Sequence, residues 1–107
     1  MAQTAIFEAM LQRGQDSALL RHGLGSAYLK EGKLQEAIDH FAEAVPQDPE
    51  YSAAWKLYGK ALAENGEHER AIEILNLGLD VAKRKGDRQA AKEMETFRRR
   101  SEKALTA

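Results

Sequence analysis

The sequence predicts an all-α protein built from stacked pairs of antiparallel helices. Residues recur at an offset of 34, with Gly25 repeated as Gly59 and Ala37 repeated as Ala71. A fixed period of this length is typical of helical-repeat proteins, in which each helix pair buries its apolar face against the next pair. Apolar residues are spaced three and four apart, as on one face of a helix, so we expect six helices and no strands. The 107 residues leave room for one domain, 1–107.

Composition limits the classes of function. Hydrophobic residues make up 43% of the chain and charged residues 31%, as in an ordinary soluble helical protein, and no apolar run approaches the ~20 residues that span a bilayer. The first residues lack the basic stretch and apolar core of a signal peptide, and the chain has no cysteine. We therefore expect a cytoplasmic protein without disulfides, thiolate chemistry or membrane attachment.

Polar residues and glycines predict the ends of the first two helices. A helix is predicted over residues 4–13, with Thr4 as its N-cap, and Gly14 follows it. Asp16 or Ser17 then caps a second helix with a regular apolar stripe. The helix predicted over residues 4–13 matches only the second half of a repeat, so we interpret it as a cap on the stack of helix pairs.

Glycine and proline predict the next boundaries. The second helix should end at Gly32, and the third should start near Leu34. It should stop near Val45, because Pro46 lacks an N–H and disfavours a helical conformation in the residue before it. Ser52 is the predicted N-cap of the fourth helix.

The last two helices have clear boundaries. One is predicted from His68 to Lys85, with Gly86 as its stop and basic residues in its last turn, where they complement the helix dipole. Asp87 should cap a final helix over 87–105, whose apolar positions follow the i, i+4, i+7 pattern of a packed face.

Gly25 and Gly59 predict close helix crossings. Glycine inside a helix costs about 1 kcal/mol relative to alanine, so its recurrence at equivalent positions indicates a packing requirement. We expect the paired helices to approach closely at these glycines, opposite Ala37 and Ala71. A larger side chain should wedge each pair apart.

The repeated residues resemble two consecutive tetratricopeptide repeats. They are Leu24-Gly25-x-x-Tyr28, Ala37-x-x-x-Phe41-x-x-Ala44 and Pro49, then Trp55-x-x-Tyr58-Gly59-x-x-Leu62 and Ala71-x-x-x-Leu75-x-x-Gly78. The resemblance implies a right-handed superhelix in which the first helix of each pair lines a concave groove that holds another protein's peptide or helix. It divides the domain into a capping helix (4–13), two repeats (17–49 and 50–85) and a second capping helix (87–105). Arg21 stands where the first repeat usually has tryptophan, and Lys83 where the second usually has proline.

The family's geometry implies which residues face the groove. They are Leu19, His22, Ser26, Leu29 and Lys30 in the first repeat, and Ala53, Lys56, Lys60 and Glu64 in the second. The basic members His22, Lys30, Lys56 and Lys60 suit an acidic segment or a carboxylate, although a simple solvated helix face is an equal alternative. The family's carboxylate clamp for chaperone C-termini uses Lys, Asn, Asn, Lys and Arg at places that fall here on His22, Ser26, Leu57, Asp87 and Ala91. The clamp is absent, so we do not expect a chaperone tail as the partner.

An apolar stripe on the fifth helix offers a different function. Ile74, Leu77 and Val81 lie at helical spacing on that helix. Either the last helix covers them, which we favour, or they form an exposed patch. In the second case the protein is a homodimer or a structural subunit that assembles through this stripe.

Other classes of function have little support. The three histidines are not at metal-ligand spacing, and nothing places a serine, histidine and aspartate as a triad, so we expect no enzyme, metal or cofactor. The basic run Arg98-Arg99-Arg100 raises nucleic-acid binding as a third possibility. On a helix those side chains point in different directions, and the pI of about 6.3 argues against a basic footprint. A protein-interaction module remains the leading hypothesis.

Overall fold

The computed structural model describes residues 2–107 and shows six helices and no strand within them. The helices are α1 (Gln3–Gln12), α2 (Ala18–Lys30), α3 (Leu34–Gln47), α4 (Ser52–Glu64), α5 (His68–Lys85) and α6 (Arg88–Thr106). No helix in this part of the chain is long and apolar enough to cross a membrane.

The helices form two layers. Each helix packs against the next one in the chain, while α4 also contacts both α2 and α6. Within residues 2–107 the backbones of α1 and α3 do not approach closely, and neither do those of α3 and α5, so α2, α4 and α6 lie side by side in one layer with α3 and α5 behind them. The resulting body measures 43 × 30 × 19 Å. This arrangement exposes one face made by three neighbouring helices.

A continuous apolar core joins the two layers from α3 to α6. Its largest fully buried members come from four different helices: Phe41 and Ile38 from α3, Leu62 from α4, Leu75 from α5 and Met94 from α6. Because α6 contributes Met94 and Ala90 to this core, it is part of the packed domain rather than a loose appendage.

Gly25 and Gly59 mark close approaches, as predicted, but the facing residues differ from those expected. A Cβ added at Gly25 would lie 2.5 Å from Phe41, and one added at Gly59 would overlap Leu75. The expected neighbours Ala37 and Ala71 are buried in the same core, but neither is among the atoms nearest to the added Cβ. The close approach therefore accommodates a large side chain of the facing helix.

Two of the predicted N-caps are correct and two are wrong. Ser17 accepts a hydrogen bond from the Leu20 N–H, and Asp87 accepts one from the Ala90 N–H, each at 3.1 Å. Thr4 instead lies inside α1 and is buried, and the helix starts after Ala2. Ser52 is the first residue of α4, and its hydroxyl donates to Asp87 Oδ2 at 2.7 Å, so it ties two helix starts together.

The third helix runs past its predicted end. We expected it to stop near Val45, but α3 includes Pro46 and ends at Gln47. A proline in the last turn removes only one backbone hydrogen bond, and the next turn is closed by the Asp48 N–H, which donates to the Ala44 carbonyl at 3.1 Å. The helix therefore tolerates the proline near its C-terminus.

Arg21, which replaces the tryptophan of the repeat pattern, anchors a polar network between α2 and α3. Its guanidinium pairs with Asp16 at 2.9 Å and lies 3.2 Å from His40 Nδ1. Hydrogen bonds from Arg21 and Gln47 hold the pKa of Asp16 at about 2, well below its ordinary value. Glu8 of α1 completes the network, since it lies 3.3 Å from His40 Nε2. A polar cluster thus helps to position α1.

Candidate functional site

Two adjoining cavities lie along the face formed by α2, α4 and α6. The first, of about 330 Å³, is lined by Ser26, Leu29, Lys30, Leu57, Lys60 and Glu64. The second, of about 210 Å³, is lined by Lys60, Ala63, Glu64, His68, Phe97, Arg100 and Ser101. Lys60 and Glu64 border both. We call the surface made by these two sets of residues the groove.

The structure brings some of the predicted groove residues together and separates others. Ser26, Lys30, Lys60 and Glu64 line the groove, as does Leu29. Leu19 and His22 line a separate apolar cavity between α1 and α2, together with Phe7, Met10, Ser17, Leu20 and Gly23. Leu19 is 71% exposed there. Lys56 and Ala53 line none of these three cavities. The groove therefore starts further along α2 than the family's geometry implies.

His22 is a packing residue more than a charged one. Its ring centroid lies 4.7 Å from that of Tyr51 and 5.8 Å from that of Phe41. Its Nδ1 atom is buried and makes no hydrogen bond with any residue between 2 and 107. Burial lowers the pKa of His22, and the positive charge of Lys56 lowers it further. His22 is thus neutral at physiological pH and does not contribute to a basic surface.

This environment predicts a dependence of stability on pH. Because the pKa of His22 is lower in the folded state than its ordinary value of about 6.5, the unfolded chain binds the proton more readily. The contribution of His22 to stability is complete above about pH 6.5 and is lost as the pH falls through the window below it. We expect His22→Leu to lose less stability between about pH 7.5 and about pH 5.5 than the wild type. Urea unfolding at both pH values checks this, and equal losses in the two proteins would contradict it.

The two lysines of α4 have different environments. Lys56 Nζ lies 3.0 Å from Glu93 Oε2 of α6, so its charge is compensated. Hydrogen bonds from Gln89 and Lys56 lower the pKa of Glu93, which keeps the carboxylate charged. Lys60 Nζ instead lies 5.9 Å from the centroid of the Phe97 ring, and it forms no ion pair within residues 2–107. Lys60 is therefore available to a ligand, and Lys56 is not.

Six residues of the groove were not among those that the family's geometry implied: Leu57, Ala63, His68, Phe97, Arg100 and Ser101. Leu57 was considered only as a place in the carboxylate clamp, Phe97 only as an apolar position of the final helix, and Arg100 only as part of the basic run. Phe97, Arg100 and Ser101 line the groove because α6 lies beside α4 in the layer. Leu57 lines the cavity between α2 and α4. The repeat period itself held the signal, since it places α6 where a third repeat would put its groove helix.

The apolar stripe of α5 does not form one exposed face. Val81 is only 4% exposed, and Ile74 packs against the core as a partly buried side chain. Leu77 is 51% exposed. A partner that met this side of the described structure would find a single leucine rather than three apolar residues.

One serine and one histidine meet in the groove without the features of a catalytic site. His68 Nδ1 lies 3.0 Å from Ser101 Oγ, which joins the start of α5 to α6. Ser101 is fully buried, so its hydroxyl is not presented to a substrate. No group of three or more His, Cys, Asp or Glu side chains between Ala2 and Ala107 is arranged to hold a metal ion.

Architecture and groove together define a helical-repeat protein. A family model of the tetratricopeptide repeat matches residues 28–94, and a second tetratricopeptide repeat model matches residues 2–52. The chain belongs to the tetratricopeptide repeat family.

Similar proteins include bacterial relatives that match along most of their length. The TPR repeat-containing protein PA0015 of Pseudomonas aeruginosa is 46% identical over 99 residues, which cover 92% of this chain and 94% of that protein. The solution structure of protein BPP2914 from Bordetella parapertussis is 38% identical with a TM-score of 0.83, and the match covers 97% of this chain and 90% of that one. The structure of the complex between the TPR2B domain of yeast Sti1 and pHsp70 matches with a TM-score of 0.87. The match covers 94% of this chain and 81% of that chain. At 19% identity it shows a common fold only.

Proposed function

We propose that the protein is a non-enzymatic interaction module that binds a short peptide or helix of another protein in the groove. The observation that carries this proposal is the composition of the groove. Its lining includes the apolar side chains Leu29, Leu57 and Phe97. Its basic side chains, Lys30, Lys60 and Arg100, make no ion pair with any residue in 2–107. Apolar surface with a few convergent polar groups is the usual composition of a binding site.

The groove is built on helices that are held in place by packing. Its two cavities lie between α2, α4 and α6. The buried faces of α4 and α6 belong to the core that runs from α3 to α6, and α2 packs against α3. Such a preformed surface loses little conformational entropy when a ligand binds. In this proposal α1 (predicted as residues 4–13) and α6 (predicted as 87–105) cap the two repeats, and α6 also completes the groove.

The residues at the clamp positions favour a partner other than a chaperone tail. Asp87, which occupies a clamp lysine position, is an acidic group that accepts hydrogen bonds from the Ala90 N–H and from Ser52. His22, at the other clamp lysine position, is half-buried between aromatic rings. Since neither group supplies a positive charge, we propose that the protein does not bind a chaperone C-terminus in the clamp mode.

The test is selection of binding peptides followed by obstruction of the groove. A phage-displayed library of random short peptides is selected on the wild-type protein, and one selected peptide is labelled for fluorescence anisotropy. Ser26→Arg, which places a long side chain in the α2–α4 cavity, should weaken its binding by about tenfold or more. Leu77→Asp, on the other layer, is the matched control and should bind like the wild type. Equal affinity of Ser26→Arg and wild type would overturn the groove proposal.

A second candidate function is self-association or subunit assembly through the Ile74/Leu77/Val81 stripe. It is supported by the exposure of Leu77, but the burial of Val81 leaves little apolar area for a stable interface. Under this alternative, Leu77→Asp would convert a dimer into a monomer in size-exclusion chromatography with light scattering, and Ser26→Arg would change nothing.

A further inference from the structure

The cavity between α4 and α6 has the size and lining of a pocket for a single side chain. Its volume is about 210 Å³, and Ala63 and Phe97 give it an apolar surface. A cavity of about 150 Å³ is enough to hold benzene. The contact between His68 Nδ1 and Ser101 Oγ holds one wall in place. The pocket therefore fits one aromatic or branched aliphatic side chain, and little more.

The rim of this pocket carries uncompensated positive charge. Lys60 and Arg100 both border it, and neither forms an ion pair with any residue of the described chain. Glu64 is the one acidic residue in its lining. The adjoining cavity adds Lys30 on the same surface, also without an ion pair in residues 2–107. The rim as a whole attracts carboxylates.

The fold separates this charge from the rest of the basic residues. Glu93 of α6 neutralises Lys56, one turn before Lys60 on α4. One further turn along α6, the Phe97 ring lies within reach of the Lys60 ammonium, an arrangement that favours the cation electrostatically without neutralising it. Lys60 thus lies at the edge of the pocket without an acidic partner among residues 2–107.

We propose that the pocket accepts one apolar side chain of a partner peptide, and that Lys60 and Arg100 bind acidic residues flanking that side chain. This inference rests on the proposed function and names the chemistry of the ligand. The apolar side chain supplies burial against Phe97, and the flanking carboxylates supply charge-assisted hydrogen bonds to the ammonium and guanidinium groups.

Nucleic acid fits the same surface less well. Of the three consecutive arginines, Arg98 donates to Asn76 at 2.8 Å, and Arg99 lines neither cavity. Of the three, only Arg100 reaches the groove, so the basic run does not form a continuous surface for phosphates. A peptide has both an apolar side chain and a choice of flanking charges, so it matches the pocket more completely.

The experiment uses the peptide selection described above, with a different pair of variants. Selected peptides should share an aliphatic or aromatic residue next to Asp or Glu. The double variant Lys60→Glu/Arg100→Glu should raise the dissociation constant by about tenfold or more. The matched control Arg99→Glu/Lys103→Glu makes the same change in charge at exposed positions outside both cavities, and should change it by less than about twofold. Thermal unfolding of both variants verifies that they are folded.

A second arm tests the apolar contact. Replacing the apolar residue of the selected peptide with glycine, while keeping its acidic neighbours, should remove most of the binding to the wild type. This change is made in the ligand, so it does not disturb the fold of the protein. Binding that survives it would mean that charge alone holds the peptide, and would overturn the pocket proposal.

The outcomes separate this inference from the proposed function. If peptides lack an acidic preference, or bind Lys60→Glu/Arg100→Glu like the wild type, yet are lost with Ser26→Arg, the groove binds peptides and the pocket inference is wrong. If neither set of substitutions weakens binding, or no peptide is selected, both proposals fail. If a random-sequence oligonucleotide binds through Lys60 and Arg100 while no peptide does, the occupant is nucleic acid and the inference is overturned.

Discussion

Met94→Ala is expected to lower the free energy of unfolding by about 2–5 kcal/mol. Met94 is fully buried, and it lies where α6 meets α4 and α5: a Cβ added at Gly78 would be 2.6 Å from its sulfur and 2.7 Å from Trp55 Cβ. Truncation would leave a cavity at that junction. Because domains of this size have a total stability of about 5–15 kcal/mol, such a loss would be a large fraction of the whole.

Urea denaturation followed by circular dichroism measures this effect as a shift in the midpoint. Leu105→Ala is the matched control, since Leu105 is on the same helix but 48% exposed, and it should change the stability by no more than about 0.5 kcal/mol. If the two variants unfolded at the same urea concentration as the wild type, α6 would not be part of the cooperative core. The groove, which depends on α6 for Phe97 and Arg100, would then lack its support.

Gly59→Ala is expected to destabilise the protein by about 1–3 kcal/mol, although alanine is the better helix former. The added methyl group would overlap Leu75, which is fully buried and cannot move aside without displacing its own neighbours. The close crossing of α4 and α5 would have to widen. Since α4 carries Leu57 and Lys60, the change should also disturb the groove.

Gly23→Ala provides the comparison, because it is the same substitution in another helix of the same layer. There the added Cβ would lie 3.0 Å from the ring of Phe7, which is only partly buried and can shift. The gain in helix propensity of about 1 kcal/mol should offset that displacement. Thermal unfolding of both variants tests this expectation. If Gly59→Ala were as stable as Gly23→Ala, packing would not require a glycine at position 59.

Local chemistry accounts for the features that were predicted correctly from the sequence. The bounds of α5 and the cap at Asp87 follow from short-range signals, namely Gly86 in a left-handed conformation with φ of 73° and basic residues in the last turn. The close approaches at Gly25 and Gly59 follow from the repeat, because glycine recurs where a helix interior would otherwise disfavour it. Their partners Phe41 and Leu75 could not be assigned, since the choice between residues one turn apart depends on the crossing geometry.

The parts of the site that were missed depend on contacts between distant residues. Lys56 and Lys60 have the same side chain and lie one turn apart, yet only Lys56 meets a carboxylate, that of Glu93 on α6. Nothing in the local sequence distinguishes them. His22 is similar, because its position between Phe41 and Tyr51 is created by the packing of α2, α3 and the start of α4. Counting the basic residues along α2 and α4 therefore overestimated the positive charge of the predicted groove, because Lys56 is paired and His22 is neutral.

The last helix, α6, contributes part of the groove. Without α6, the exposed face would consist of α2 and α4 and would lack the pocket around Phe97. With it, the surface gains one apolar site and one arginine while Lys56 loses its free charge. Under the proposed function, substitutions in α6 should therefore change which peptides the groove binds.

The central claim is that the face of α2, α4 and α6 is the binding surface, and NMR mapping tests it most directly. Amide chemical shifts of isotope-labelled protein are followed while the selected peptide is added. The account predicts that the largest changes cluster at groove residues on all three helices, including Ser26, Leu57, Lys60 and Phe97. Changes confined to the outer side of α5 around Leu77, with the groove unaffected, would contradict it.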